Sequence, residues 1–202
     1  METARRQRLD PAVRDRLFSV AIEAFVRDGY ERASLNAILA EAGVGKSTFF
    51  YYFVDKEDLF ASVIEAAVGR IAAAVGPVEL PKRPLRFWRE ARALIERWGQ
   101  AAANEPGFLG LLRAMQPLRR TASPRLAQVM SEVRLTYRAL LTRGVKLGVV
   151  RNDIDVDTLI ALADAIDIAL DDQFHRNPDP DDDALAAHRA RVFDGIQRIL
   201  RK

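Results

Sequence analysis

The chain contains no cysteine and only two histidines, His175 and His188. That excludes disulfides, thiolate metal sites and cysteine nucleophiles, and it leaves too few imidazoles for a histidine-rich metal centre. No apolar run approaches the roughly twenty residues that a membrane-spanning helix needs. The N-terminal METARRQRLD lacks the apolar core of a secretory signal, so the expected compartment is the cytoplasm. Neither charge sign dominates: 31 Lys and Arg against 28 Asp and Glu leave a net charge of +3. Composition therefore does not demonstrate nucleic-acid binding. Distribution says more. Arg5, Arg6 and Arg8 form a basic arm of the kind that reaches DNA phosphates or a minor groove, with a solvated tail as the plain alternative. Asp179-Pro180-Asp181-Asp182-Asp183 is an acidic tract far down the chain.

Period-two alternation over a convincing length is also missing, as are the repeats of a helical solenoid. What is present is helical periodicity, in 202 residues that can bury a good core. The expected fold is all-α. Asp10-Pro11 opens a helix, with Asp as cap and Pro at the first position. Val13, Leu17, Ala21, Ala24 and Phe25 share one of its faces, and Gly29 ends it. Ser34 caps a second helix with Leu35, Ile38 and Leu39 on its apolar side. Ala42-Gly43-Val44 makes a turn in which Gly43 takes the left-handed conformation and Val44 packs into the angle. A third helix, from about Gly45 to Tyr52, turns Phe49 and Phe53 inward and Lys46, Ser47, Thr48, Tyr51 and Tyr52 outward. Two helices joined this way form a helix-turn-helix, whose second helix can enter a DNA major groove.

Gly45-Lys46-Ser47-Thr48 also looks like the end of a phosphate-binding loop, G-x-x-x-x-G-K-[ST]. A nucleotide hydrolase would need glycine at position 40, where Ala40 stands, and a strand before the loop, where SLNAILAEA is helical. No apolar strand ending in Asp is nearby to hold magnesium. The helix-turn-helix accounts for more of the residues.

Asp55 caps the next helix, which Leu59, Phe60, Val63, Ala67 and Ile71 carry to about Val75. Lys56 lies in its first turn, where the helix dipole disfavours a cation, and so suggests an anionic partner. Gly76-Pro77, Pro81 and Pro84 interrupt the pattern. Helices are then expected over 85–103, 106–116, 124–148, 155–174 and 184–201. The implied domains are 1–54 for the arm and DNA-binding head, 55–75 for a connecting helix, and 76–202 for a ligand-binding and dimerisation body.

Residues 11–60 resemble the DNA-binding head of the tetracycline-repressor (TetR) family of bacterial transcriptional regulators. The resemblance is carried by Ala24-Phe25, Gly29-Tyr30, Ile38, Ala42-Gly43-Val44, Lys46, Thr48, Tyr52-Phe53, Lys56-Glu57 and Leu59. Gly148 to Asp155 also resembles the family's turn before its penultimate helix. Ser47, Phe49 and Phe50 depart from the commoner Gly, Leu and Tyr, so any contact through a hydroxyl at position 50 is lost. The resemblance implies phosphate contacts by Lys46, Lys56 and Ser34, with Asn36, Ser47, Thr48, Tyr51 and Tyr52 as candidates for base edges. Phosphate contacts set register, and base-edge contacts set sequence.

For the body, the aromatic and soft residues Phe87, Trp88, Trp98, Phe108, Met115 and Tyr137 are pocket candidates, ordinary core being the alternative. Asp164, Asp167 and Asp171 form an acidic stripe. Asp164, if buried in the pocket, would favour a cationic ligand. Leu159, Leu162, Ile166, Leu170 and Phe174, with Leu185, Val192, Ile196 and Ile199, are candidates for a four-helix dimer interface. A helix-turn-helix protein generally needs two copies to read two half-sites. The chain therefore reads as a ligand-responsive regulator, a repressor in preference to an activator. It would bind a palindromic double-stranded DNA operator as a homodimer and be released by a small-molecule effector. No catalytic residue, metal, cofactor or membrane partner is expected. A helical binding module without DNA binding is the remaining alternative.

Overall fold

A computed structural model describes residues 9–115, 117–118, 123–174 and 182–202. The elements are α1 (Pro11–Arg32), α2 (Leu35–Ala42), α3 (Lys46–Tyr52), α4 (Lys56–Val75), a 3-10 turn (Pro84–Arg86), α5 (Phe87–Asn104), α6 (Phe108–Met115), α7 (Pro124–Lys146), α8 (Val156–Phe174) and α9 (Asp182–Leu200). The fold is all-α. Among the described residues the extended pairing is one isolated bridge between Val150 and Arg201.

The helices begin where side chains can satisfy free N–H groups. Asp10 accepts from the N–H of Ala12 and Val13, Ser123 from Leu126, and Asp155 from Thr158. Those caps explain why helix starts were readable from the sequence. Gly29, at φ 75°, breaks α1 internally, and one further turn runs on to Arg32.

Contacts group the chain into two compact units. One joins the residues up to Ala74 with Ala101–Val133, and the other joins Val75–Gln100 with Arg134–Lys202. In the first unit, Phe25, Phe49, Phe60, Leu17, Ile38 and Leu59 are fully buried, and Leu111 and Met115 join the same core. Helix α6 lies against α1 so closely that a Cβ at Gly107 would stand 2.3 Å from Ile22, and one at Gly110 2.7 Å from Val26. Gly107 also has φ +72°, so glycine is required there twice over. Arg70 pairs with Glu105, and the Ser123 N–H donates to Glu57 across 2.6 Å.

The second unit has its own core of Phe87, Ala91, Leu140, Leu141, Val150, Leu159, Ile160, Phe193 and Leu200. Gly144 faces Phe87 and Val150 with no space for a Cβ, at 2.6 and 2.4 Å. Arg143 donates to the carbonyl oxygen of Pro81, and Arg92 pairs with Asp194 while lying over the Phe193 ring.

Candidate nucleic-acid interface

The helix-turn-helix is built by local chemistry. Ser34 leads into α2 and its hydroxyl oxygen accepts from the Ala37 N–H at 3.4 Å. Gly43 closes α2 at φ 66°, ψ 32°, and the Val44 N–H returns to the Leu39 carbonyl at 2.9 Å. That left-handed closure requires glycine, and it places Val44 in the buried angle. Arg16, from α1, donates its Nε to the Ala42 carbonyl at 2.7 Å, a cation at the negative end of α2. Its partner is 26 positions away. No local pattern could have singled it out.

Helix α3 is anchored by Phe49, whose ring stacks on Phe53 at 5.3 Å. Its outer surface carries Lys46, Ser47, Thr48 and Tyr51, all exposed, with Asn36 and Ser34 exposed on and before α2. No acidic residue lies on α3. Phe50, which was not among the expected contacts, is also on this surface with 56 % of its area exposed. The outward aromatic could have been found from its position, three residues after Ser47 and one after the inward Phe49.

Two of the residues expected to contact DNA also have partners within the chain. Tyr52 is half-buried and packs against the core of this unit, edge-on to Tyr51, so its ring is mainly a packing group. Lys56 turns inward. Its Nζ donates to the carbonyl oxygens of Tyr30, Glu31 and Ala33 at 2.7, 3.2 and 3.0 Å, and it lies 4.5 Å from the centre of the Tyr30 ring. An ammonium has three donors, and all three are used within the chain. The anionic partner inferred for Lys56 is thus the end of α1, where carbonyls carry the negative end of the helix dipole. Burial lowers the Lys56 pKa, and burial also pushes the Tyr30 phenol up to about 12, with the carboxylates of Glu57 and Asp55 adding to it.

The segment after α3 is held from the other side. Asp58, buried, accepts from the Val54 N–H at 3.0 Å, and Arg125 on α7 stands 3.8 Å from Asp58 while pairing with Glu65. Helix α3 is therefore fixed at its start by the Gly43 turn and just past its end by Asp58.

The pocket candidates are divided between the two units. Met115 is in the core of the unit that carries the helix-turn-helix, and Phe108 is buried in that unit as well. Phe87 is core of the other unit, Trp88 packs against it, and Tyr137 is exposed. Trp98 is half-buried, and its Nε1 is buried without an acceptor among the described residues. A shallow cavity of about 440 Å³ in that unit is lined by Glu79, Leu80, Lys82, Arg83, Arg86 and Glu90, none of them expected.

Of the interface candidates, Leu159 is fully buried in the core of its own unit. Val192 is buried too, Ile196 packs on that same core, and Ile166 lies half-buried beside Gly195. Leu162 and Ile199 remain exposed, at 37 % and 39 %. The side chains of Asp164, Asp167, Leu170, Asp171, Phe174 and Leu185 lie outside the described set, as do Arg5, Arg6, Arg8 and residues 179–181 of the acidic tract. Among the described residues no helix is long and apolar enough to cross a membrane.

Comparison with known proteins bears on the same segment. Residues 17–63 match the sequence model of the bacterial regulatory proteins of the tetR family. An HTH-type transcriptional repressor of Streptomyces coelicolor is 38 % identical over 71 residues, which cover 35 % of this chain and 36 % of the repressor. The chain thus matches only about a third of that relative's length. The HTH-type transcriptional regulator TcmR of Streptomyces glaucescens is 23 % identical over 96 % of this chain and 87 % of its own. A crystal structure of a TetR family transcriptional regulator from Chloroflexus aurantiacus superposes with a TM-score of 0.63 at 19 % identity, over 98 % of this chain and 97 % of that one, which bears on the fold. With the helix-turn-helix geometry and the matched segment in agreement, residues 17–63 form a helix-turn-helix segment of the tetR-family kind, and the chain as a whole shares the all-α fold of solved tetR-family regulators.

Proposed function

We propose that the chain is a ligand-responsive repressor that binds a palindromic operator as a homodimer and leaves it when a small molecule binds. The observation that carries this is the outer surface of α3, an exposed set of basic, hydroxyl and aromatic side chains free of acid and fixed to a rigid core. Lys46 contacts phosphate. The Ser34 hydroxyl oxygen caps α2, which leaves its hydrogen to donate to a phosphate. Asn36, Ser47, Thr48 and Tyr51 face base edges, where Asn can pair with adenine and Thr can meet a thymine methyl. Lys56 acts by holding the end of α1 and not through DNA.

Two copies are required to read two half-sites roughly 34–36 Å apart. Leu162 and Ile199 are the large apolar residues described as exposed on the helices expected to pair. In the second unit, Trp98 offers a buried indole N–H that an acceptor on an effector would satisfy. An effector acts only through different affinity for the DNA-competent and incompetent arrangements. The test is selection of genomic fragments by the purified protein, repeated across salt concentrations. Enrichment of one short palindrome is expected. Salt-sensitive binding with no enriched site would overturn sequence-specific repression, and absence of binding would overturn the DNA role.

A further inference from the structure

Of the side chains that α3 could bring to DNA, Lys46 alone is of a kind that makes paired hydrogen bonds to one base, and it is assigned above to phosphate. Its sequence, KSTFFYY, holds no Arg, Asn or Gln, and its one long donor is Lys46 at the first position. Direct discrimination by this helix is left to hydroxyls and to apolar contact. In the major groove the distinctive apolar group is the C5-methyl of thymine, and phenylalanine is one of the side chains that meets it.

Phe50 is placed for that contact. It follows Ser47 by three positions and precedes Tyr51, so these three share the outward face of the helix. Phe50 and Tyr51 expose 56 % and 59 % of their areas, and Val54, just past the helix end, exposes 61 %. One exposed apolar side chain is ordinary. Phe50 and Tyr51 are neighbouring exposed aromatics on a helix with no acidic residue, so nothing on α3 itself repels a polyanion that would bring a groove against them.

The ring is also held in place. Phe50 meets the buried Phe49 edge-on, with centroids 5.1 Å apart and planes at 79°, and Phe49 is stacked on Phe53. A side chain already ordered by its neighbours loses little freedom on binding. Phe50 contributes little to the core, since more than half of it faces water.

We propose that Phe50 reads thymine methyl groups by direct apolar contact, so that operator recognition depends on those methyls. This rests on the DNA-binding reading above. The test uses the full chain and a duplex selected from a random library, prepared once with thymine and once with uracil, which lacks the methyl and keeps every hydrogen-bonding group. Wild type should bind the uracil duplex about fourfold more weakly for each contacted methyl. Phe50→Ala should bind both duplexes alike, with the helical content and salt slope of wild type. Equal wild-type affinity for the two duplexes, or discrimination that survives in Phe50→Ala, would overturn the assignment while leaving DNA binding intact. Salt-sensitive binding without a selected site would overturn it as well. Failure to bind any duplex at any salt would overturn both this assignment and the DNA-binding reading on which it stands.

Discussion

Lys46 and Lys56 stand ten positions apart, each in the first turn of a helix, and their surroundings give them opposite work. Lys46 opens α3, faces solvent and heads a surface with no acid on it. Lys56 opens α4 and points into the protein, where three carbonyls at the end of α1 take its three protons. A cation at a helix start is disfavoured by that helix's own dipole in both cases. At Lys56 the negative end of another helix offsets the cost. At Lys46 the offset is left to a partner, and a phosphate is the partner proposed here.

The difference is easiest to break at the buried lysine. Lys56→Met should cost about 2–4 kcal/mol of stability in denaturant unfolding, because the carbonyls of Tyr30, Glu31 and Ala33 all lose a charged donor. Wild-type stability in this variant would mean that Lys56 is free for DNA after all. At the exposed lysine the outcome should invert. Lys46→Ala should leave unfolding within about 0.5 kcal/mol of wild type. It should weaken binding to every DNA sequence and lower the slope of log affinity against log salt by roughly one unit. An unchanged slope would remove Lys46 from the phosphate contacts.

Ser34→Ala sharpens the comparison at a residue proposed to do both jobs. Loss of the cap should cost roughly 0.5–1 kcal/mol, toward the low side of such effects because the bond is 3.4 Å long. A fall in DNA affinity larger than the fall in stability would show a contact beyond the cap.

The smallest effect concerns the ring under Lys56. The Tyr30 phenol is pushed up to about 12, chiefly by burial. Of the four tyrosines, one should therefore ionise near pH 12 in an absorbance titration of the folded protein, and Tyr30→Phe should remove that step. Below pH 10 both folded and unfolded states keep this proton, so Tyr30 adds no pH dependence. Between pH 10 and 12 the folded state keeps a proton that the unfolded state has lost, so stability from this group falls as pH rises. Lys56, with its pKa lowered by burial, has the opposite sign, since below its ordinary value the unfolded chain binds more protons. Absence of any step near pH 12 would show that Tyr30 is solvated.

Much of the fold was legible because it is governed by neighbours in sequence. Asp10 before Pro11, Ser34, Gly43, Ser123 before Pro124, and Asp155 mark helix ends through bonds to N–H or C=O groups two to five residues away. The inward positions of Phe49 and Phe53 follow from helical spacing, as do the outward positions of Lys46, Ser47, Thr48 and Tyr51. The all-α class and the position of the helix-turn-helix came from these local terms.

What local terms could not decide was which distant group each side chain meets. Met115 looked like pocket material and lies in the head's core, because Gly107 and Gly110 allow α6 to approach Ile22 and Val26 on α1. Leu159 looked like an interface residue and is sealed inside its own unit. Arg16, Lys56 and Arg125 find their partners 26, 23–26 and 60 or more positions away. The sequence determined where helices start, stop and turn, since a hydrogen bond to a near neighbour forms with few alternatives. Tertiary structure decided whether a given lysine faces a phosphate or a carbonyl, since that depends on which helix end the fold brings within about 3 Å, the reach of a hydrogen bond.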